Sequence, residues 1–157
     1  MKLRHSKDPL CKLDTRDCAI LFLASKDHFF TESISRLARK YGFTADYEAD
    51  RFALGSVYHY KNKALGVNVF GLVVKEHHDE PISFTEVGRC FQNLRRAVKK
   101  LNLWYMGFEA FDDPKFPDVT RKMWTVIIDT FFTEEIEVYI CWSSDVKEKN
   151  WEEPLSS

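Results

Sequence analysis

The stretch that most limits what this chain can become is Val67 to Lys75, Val-Asn-Val-Phe-Gly-Leu-Val-Val-Lys, in which seven of nine residues are apolar or Gly. A run of this length between polar segments reads as a strand covered on both faces, hence one near the middle of a sheet. The neighbouring segments must then supply the covering layers. Lys75 closes the run, which puts its amine at the carboxyl end of the strand, the edge at which open α/β sheets bind ligands.

The 157-residue chain suits such a sheet. Its length fits one domain with a full core, and 13 Phe, 6 Tyr and 4 Trp provide large side chains to fill it. A formal net charge of −1 gives the whole chain no bias toward a polyanion. No apolar run reaches the roughly 18 residues of a membrane span, and Met1-Lys2-Leu3-Arg4-His5 lacks an apolar signal segment. The expectation is an intracellular protein, cytoplasmic or nuclear, without a membrane partner. Cys11, Cys18, Cys90 and Cys141 are scattered. They lack zinc spacing, so no metal is expected, and they read as reduced, mostly buried thiols. No cofactor is implied.

Taken in order, Lys2–Ser6 reads as a short edge strand stopped at Pro9, and Cys18–Ala24 as a second buried strand. Thr31 is a candidate N-cap for a helix carrying Ile34, Leu37, Ala38 and Tyr41 on one face, with Gly42 as its stop. Asp46–Leu54 reads as a short helix or irregular turn. Ser56–Tyr60 and the segment from Ala64 form a hairpin about Lys61-Asn62-Lys63, leading into the central strand. Adjacent His77 and His78 point apart in extended chain and do not suggest a shared metal.

Ser83-Phe-Thr-Glu86 has the spacing of a capping box. The helix after it carries Val87, Phe91, Leu94, Val98 and Leu101 on its apolar stripe, with Arg89, Arg95, Arg96, Lys99 and Lys100 elsewhere on its surface. Five cations make this Arg89–Lys100 helix a candidate nucleic-acid contact, weighed against an ordinary solvated face. Leu103–Met106 reads as a strand and Gly107–Asp118 as a loop. Val119, Met123, Val126, Ile127 and Phe131 form a further helical stripe, and Ile136–Cys141 a last strand. The order implies an α/β fold, three-layer α/β/α with a mixed central sheet. One domain spans residues 1–142, and 143–157 form a polar C-terminal tail.

This succession resembles the macrodomain family, most closely its terminal ADP-ribose protein glycohydrolase branch, over about Lys2 to Cys141. Ser6-Lys7-Asp8-Pro9-Leu10 resembles the family's Lys-Gly-Asp-Leu turn, whose Asp recognises the adenine amino group; the resemblance assigns that role to Asp8. Leu23–His28 resembles the strand end that precedes the family's glycine loop. Val73-Val74-Lys75 is similar to the segment bearing the branch's catalytic lysine, which attacks the ribose of an ADP-ribosylated acidic side chain with help from an Asp. Pro81–Glu86 resembles the helix start that follows, and Phe131–Tyr139 the closing helix and strand.

The ligand loops depart from that pattern. The family's Met-Gly-Ala-Gly-Ile loop falls on Phe30-Thr31-Glu32-Ser33-Ile34. Glycines there let backbone N–H groups close on a diphosphate; Thr31 and Ser33 add bulk, and Glu32 adds negative charge where a dianion belongs. The second loop keeps only Gly107 and brings in Glu109 and Phe111, so the assisting acid is Asp113 or Asp112. These departures point to a degenerate macrodomain-like module that has lost ADP-ribose hydrolysis and serves protein or nucleic-acid interaction. Two alternatives stand beside it: a hydrolase acting through Lys75 on ADP-ribosylated Asp or Glu, and a non-catalytic binder of ADP-ribose or a related nucleotide using Asp8, Phe30, Thr31, Ser33, Gly107 and Phe111. Under the first reading an unidentified protein partner is expected on the aromatic and acidic loop from Phe108 to Phe116.

Overall fold

The computed structural model describes residues 2–6, 10, 19–27, 30–43, 53–78, 80, 82–110, 117–131 and 136–142. Within these, strands and helices succeed one another as β1 (Lys2–Ser6), β2 (Ala19–Ser25), α1 (Glu32–Tyr41), β3 (Val57–Asn62), β4 (Val67–Lys75), α2 (Phe84–Leu101), β5 (Tyr105–Ala110), α3 (Pro117–Phe131) and β6 (Glu137–Trp142). The strands form one six-stranded sheet in the order β1-β6-β5-β2-β4-β3. Only β3 runs antiparallel to its neighbour; every other pair is parallel. The sheet is therefore mixed and, with helices on both faces, makes the three-layer α/β/α architecture expected.

β4 lies inside the sheet between β2 and β3, and all nine of its residues are buried. Because side chains alternate along a strand, Phe70, Leu72 and Val74 join one core with Val87, Phe91, Leu94 and Val98 of α2 and Trp124 and Ile128 of α3. Val67, Val69 and Val73 join the other, with Ile34, Leu37, Ala38 and Tyr41 of α1. Gly71 sits between them because a Cβ there would come within 3.0 Å of the Phe22 ring on β2. The same alternation on β5 sends Met106, Phe108 and Ala110 into the α2 core. Gly107 and Glu109 consequently belong to the α1 side.

α1 forms as its sequence predicts. Thr31 is the N-cap, its Oγ1 accepting from Ile34 N at 3.2 Å. Gly42 ends the helix at φ 76°, a left-handed conformation that suits Gly. Elsewhere the structure corrects the reading in detail. The Ser83 side chain makes no capping bond, and Glu86 turns instead to Arg89 at 3.3 Å. β3 continues through Asn62, so the hairpin turn comes later: Asn62 Oδ1 accepts from Leu65 N at 3.0 Å and Gly66 takes φ 68°.

Two corrections bear on the site. β5 extends to Ala110, so Gly107, Phe108 and Glu109 are strand residues and not the start of a loop. Phe108 is wholly buried against Phe91 and Trp124 and is no part of an exposed aromatic surface. On α3 the core positions are Trp124 and Ile128, while Val126 is exposed and Met123 and Ile127 flank the interface. The larger Trp ring takes the core, contacting Phe84 and Phe108, and this rotates the helix away from the stripe its aliphatic residues suggest. Most of Asp46–Leu54, all of residues 111–116 and the tail from 143 lie outside the described residues.

Candidate functional site

The parallel strands β2, β4 and β5 end together at one edge of the sheet, where α1 begins. A helix N-terminus there presents unpaired N–H groups and the positive end of the helix dipole, a favourable place for an anion. Glu109, the last-but-one residue of β5, faces the α1 layer by strand alternation, and the Thr31 hydroxyl donates to its Oε1 at 2.7 Å. Both side chains are buried, Thr31 at 6% exposure and Glu109 at 2%. Thr31 thereby serves twice: its oxygen accepts from Ile34 N within α1, while its proton engages the carboxylate.

Glu32 does not supply charge to this spot. It is exposed and pairs with Arg36 one turn on, at 2.5 Å. Ser33 is buried in the first turn of α1. Phe30 packs edge-on against Phe22 at 5.7 Å and against Phe43 at 5.9 Å, on the margin of the α1 core. Gly107 lies within β5, paired with Ile20 on one side and Tyr139 on the other.

Lys75 ends β4 with only 6% exposure. Its Nζ donates to the carbonyl oxygens of His78 at 2.7 Å and Glu80 at 3.5 Å, so the loop after the strand wraps around the amine. That loop is fastened to the end of β2. Asp27 Oδ2 accepts from His78 N at 2.9 Å and lies 2.6 Å from His78 Nδ1, while Oδ1 accepts from Ser25 Oγ at 2.5 Å. Lys26 N donates to Lys75 O at 3.0 Å, joining the two strand ends directly. The pairing of β2 with β4 shifts by one residue between Ala24 and Ser25, bringing Ser25 opposite Lys75.

The structure thus brings Thr31, Ser33, Lys75 and Glu109 to one edge of the sheet, with Phe30 beside them. Asp8, Phe111, Asp112 and Asp113 lie outside the described residues. Two features escape sequence reading, the Glu109–Thr31 bond and the Asp27–His78 clasp. Their partners are 78 and 51 residues apart, and nothing local marks either pair. Among the described residues no cluster of three or more His, Cys, Asp or Glu is arranged to hold a metal. Cys90 and Cys141 are free, buried thiols. Burial, followed by the charge of Glu86, pushes the Cys90 thiol up from 9.0 to about 12, far from a reactive thiolate. No helix among the described residues is long and apolar enough to cross a membrane.

Solved structures share this arrangement of sheet and helices. The macrodomain of Mycobacterium tuberculosis DarG superimposes with a TM-score of 0.70 at 14% identity, over 90% of this chain and 98% of that one. The macrodomain of Thermus aquaticus DarG gives 0.68 at 14% identity, over 88% and 97%. A Trypanosoma brucei macrodomain solved in complex with ADP-ribose gives 0.59 at 15% identity, over 91% of this chain and 65% of that one. No protein-family model and no curated protein matches the sequence. The chain has the macrodomain fold.

Proposed function

We propose that this is a macrodomain-like module that has lost ADP-ribose hydrolysis and serves protein or nucleic-acid interaction. The observation that carries the reading is the buried Glu109 carboxylate bonded to Thr31 at the start of α1. The resemblance expects a glycine loop there to receive a diphosphate. A carboxylate beside a pyrophosphate repels it, and the repulsion grows as water is excluded. The Thr31 hydroxyl, which stands at the start of α1 where a ligand's phosphate would lie, is instead engaged by a side chain of the protein itself.

A second reading is favoured by one specific feature, the nearly buried Lys75 at the carboxyl end of β4. It would be the nucleophile of a hydrolase that removes ADP-ribose from Asp or Glu side chains, with Asp112 or Asp113 assisting. The Trypanosoma brucei fold that holds ADP-ribose gives this reading its ligand. A lysine attacks only through a free electron pair, and here two donor directions of Lys75 Nζ are taken by the carbonyls of His78 and Glu80. That arrangement favours a lysine that fastens the loop.

One measurement separates the readings. Thermal unfolding in excess ADP-ribose should show no rise in midpoint if Glu109 fills the anion position. A ligand present at 100 times its Kd would stabilise the fold by about 2.7 kcal/mol, an easily seen shift. Such a rise overturns the proposal. Release of ADP-ribose from an acid-linked substrate, abolished by Lys75→Ala, would then establish the hydrolase.

A further inference from the structure

Lys75 is the one buried lysine among the described residues. The chain just after β4 folds back over its amine, the His78 and Glu80 carbonyls accepting from Nζ. A backbone carbonyl stays aimed at one point only while its own residue is held, and His78 is held from outside. Asp27, at the end of β2, takes the His78 amide at 2.9 Å and stands 2.6 Å from the ring Nδ1, both through the same carboxylate oxygen. Ser25 Oγ, on a buried residue, donates to the other oxygen and sets the carboxylate's direction. On either side of His78 the turn is drawn in further. Glu76 pairs with Lys26 at 3.8 Å, and Glu80 N donates to His77 O at 3.1 Å.

Exposure rises outward along this chain of contacts. The lysine is 6% exposed, whereas the Asp27 and His78 side chains are 23% and 44% exposed. A fastening that touches water opens at lower cost than the core behind it, yet a hydrogen bond to a charged group is strong enough to decide which state prevails. Anchoring a buried ammonium calls for carbonyl acceptors; it does not call for those acceptors to hang from a carboxylate at the surface. Opening need not disturb the sheet. The strand ends stay joined through Lys26 N and Lys75 O at 3.0 Å, so the movement concerns the chain after β4.

We propose that the Asp27–His78 clasp is an autoinhibitory contact. Closed, it holds the Lys75 amine against two carbonyls; open, it leaves that amine within reach of an electrophile in solution. The proposal goes beyond both readings above, since the clasp governs access to the amine whether or not ADP-ribose binds at this edge. ADP-ribose melting and lysine reactivity therefore fail independently.

The test is acetylation of the full chain with N-hydroxysuccinimidyl acetate at one fixed pH, followed at each lysine by peptide mass spectrometry. In the wild type, Lys75 should react at least about tenfold more slowly than Lys61 and Lys63, which are exposed, because its reaction waits on local opening. Asp27→Ala removes both contacts to His78 and should raise the Lys75 rate by about tenfold or more, the weight of hydrogen bonds to a charged group, with Lys61 and Lys63 unchanged. His78→Ala keeps the amide contact and should give a smaller rise; it carries the test alone if Asp27→Ala does not fold. Arg4→Ala breaks a surface ion pair at the far edge of the sheet and should leave Lys75 slow. A wild-type Lys75 as reactive as Lys61 overturns the proposal, and so does a Lys75 that stays slow in both clasp variants. An equal rise in Arg4→Ala overturns it as well, since the fold would then be loosened generally.

Discussion

A single hydroxyl carries much of the case at the carboxyl edge of the sheet. Thr31 accepts from Ile34 N and donates to Glu109, so Thr31→Val keeps the shape and removes both bonds. Leaving a buried acceptor short of its donor costs about 1–3 kcal/mol, with a further loss of about 1 kcal/mol from the cap. Urea denaturation should therefore show Thr31→Val destabilised by roughly 2–4 kcal/mol. An unchanged midpoint would mean the carboxylate does not depend on that proton. Cys90 offers a pH test. Its thiol is raised to about 12 in the fold from 9.0, so between these values the unfolded chain releases a proton that the folded chain keeps. The contribution is fully present below pH 9 and is lost as pH rises toward 12, with a limiting slope of about 1.4 kcal/mol per pH unit. Cys90→Ala should be less stable near neutrality yet show a shallower alkaline decline in the same window, measured by denaturant titration at successive pH values.

Among the elements, those with local punctuation were the readable ones. α1 has its N-cap, its apolar face and its glycine stop within a dozen positions, and the structure keeps all of them. β4 announces itself because both faces are covered. β5 and α3 were misread for reasons that lie outside their own residues. Gly107 and Glu109 interrupt the apolar pattern, so the segment reads as a loop from Gly107 until the Thr31 hydroxyl that engages Glu109 is found on another layer. On α3, aliphatic periodicity favoured Val126, but the Trp124 ring fits between Phe84 and Phe108 and sets the helix rotation. Trp124→Ala should accordingly cost about 3–5 kcal/mol, whereas Val126→Ala should stay within about 0.5 kcal/mol. Comparable losses in thermal melts of the two variants would restore the other phase.

Over the whole molecule, the sheet order and layers follow from alternating strands and helices, and that much was legible without coordinates. The candidate site was legible only in part. Its position followed from the carboxyl end of the central strand, and Lys75 and Thr31 were identifiable there. The internal carboxylate and the Asp27–His78 clasp depend on side chains meeting across the sheet edge, which no spacing in the chain encodes. The basic helix was visible as a charge pattern, whereas the exposure of Trp104 appears only in the structure.

The sheet also has an order of completion. Among the described strands β1 pairs with β6 alone, Lys2 opposite Glu137, so β1 has no place in the sheet until β6 is in position. β3 and β4 close over a tight turn, whereas β2 pairs with β5, Ala19 opposite Met106, and β1 with β6, Lys2 opposite Glu137, so this edge carries the heaviest loop-closure cost in the sheet. The Arg4–Glu137 ion pair likewise forms only once β6 has docked.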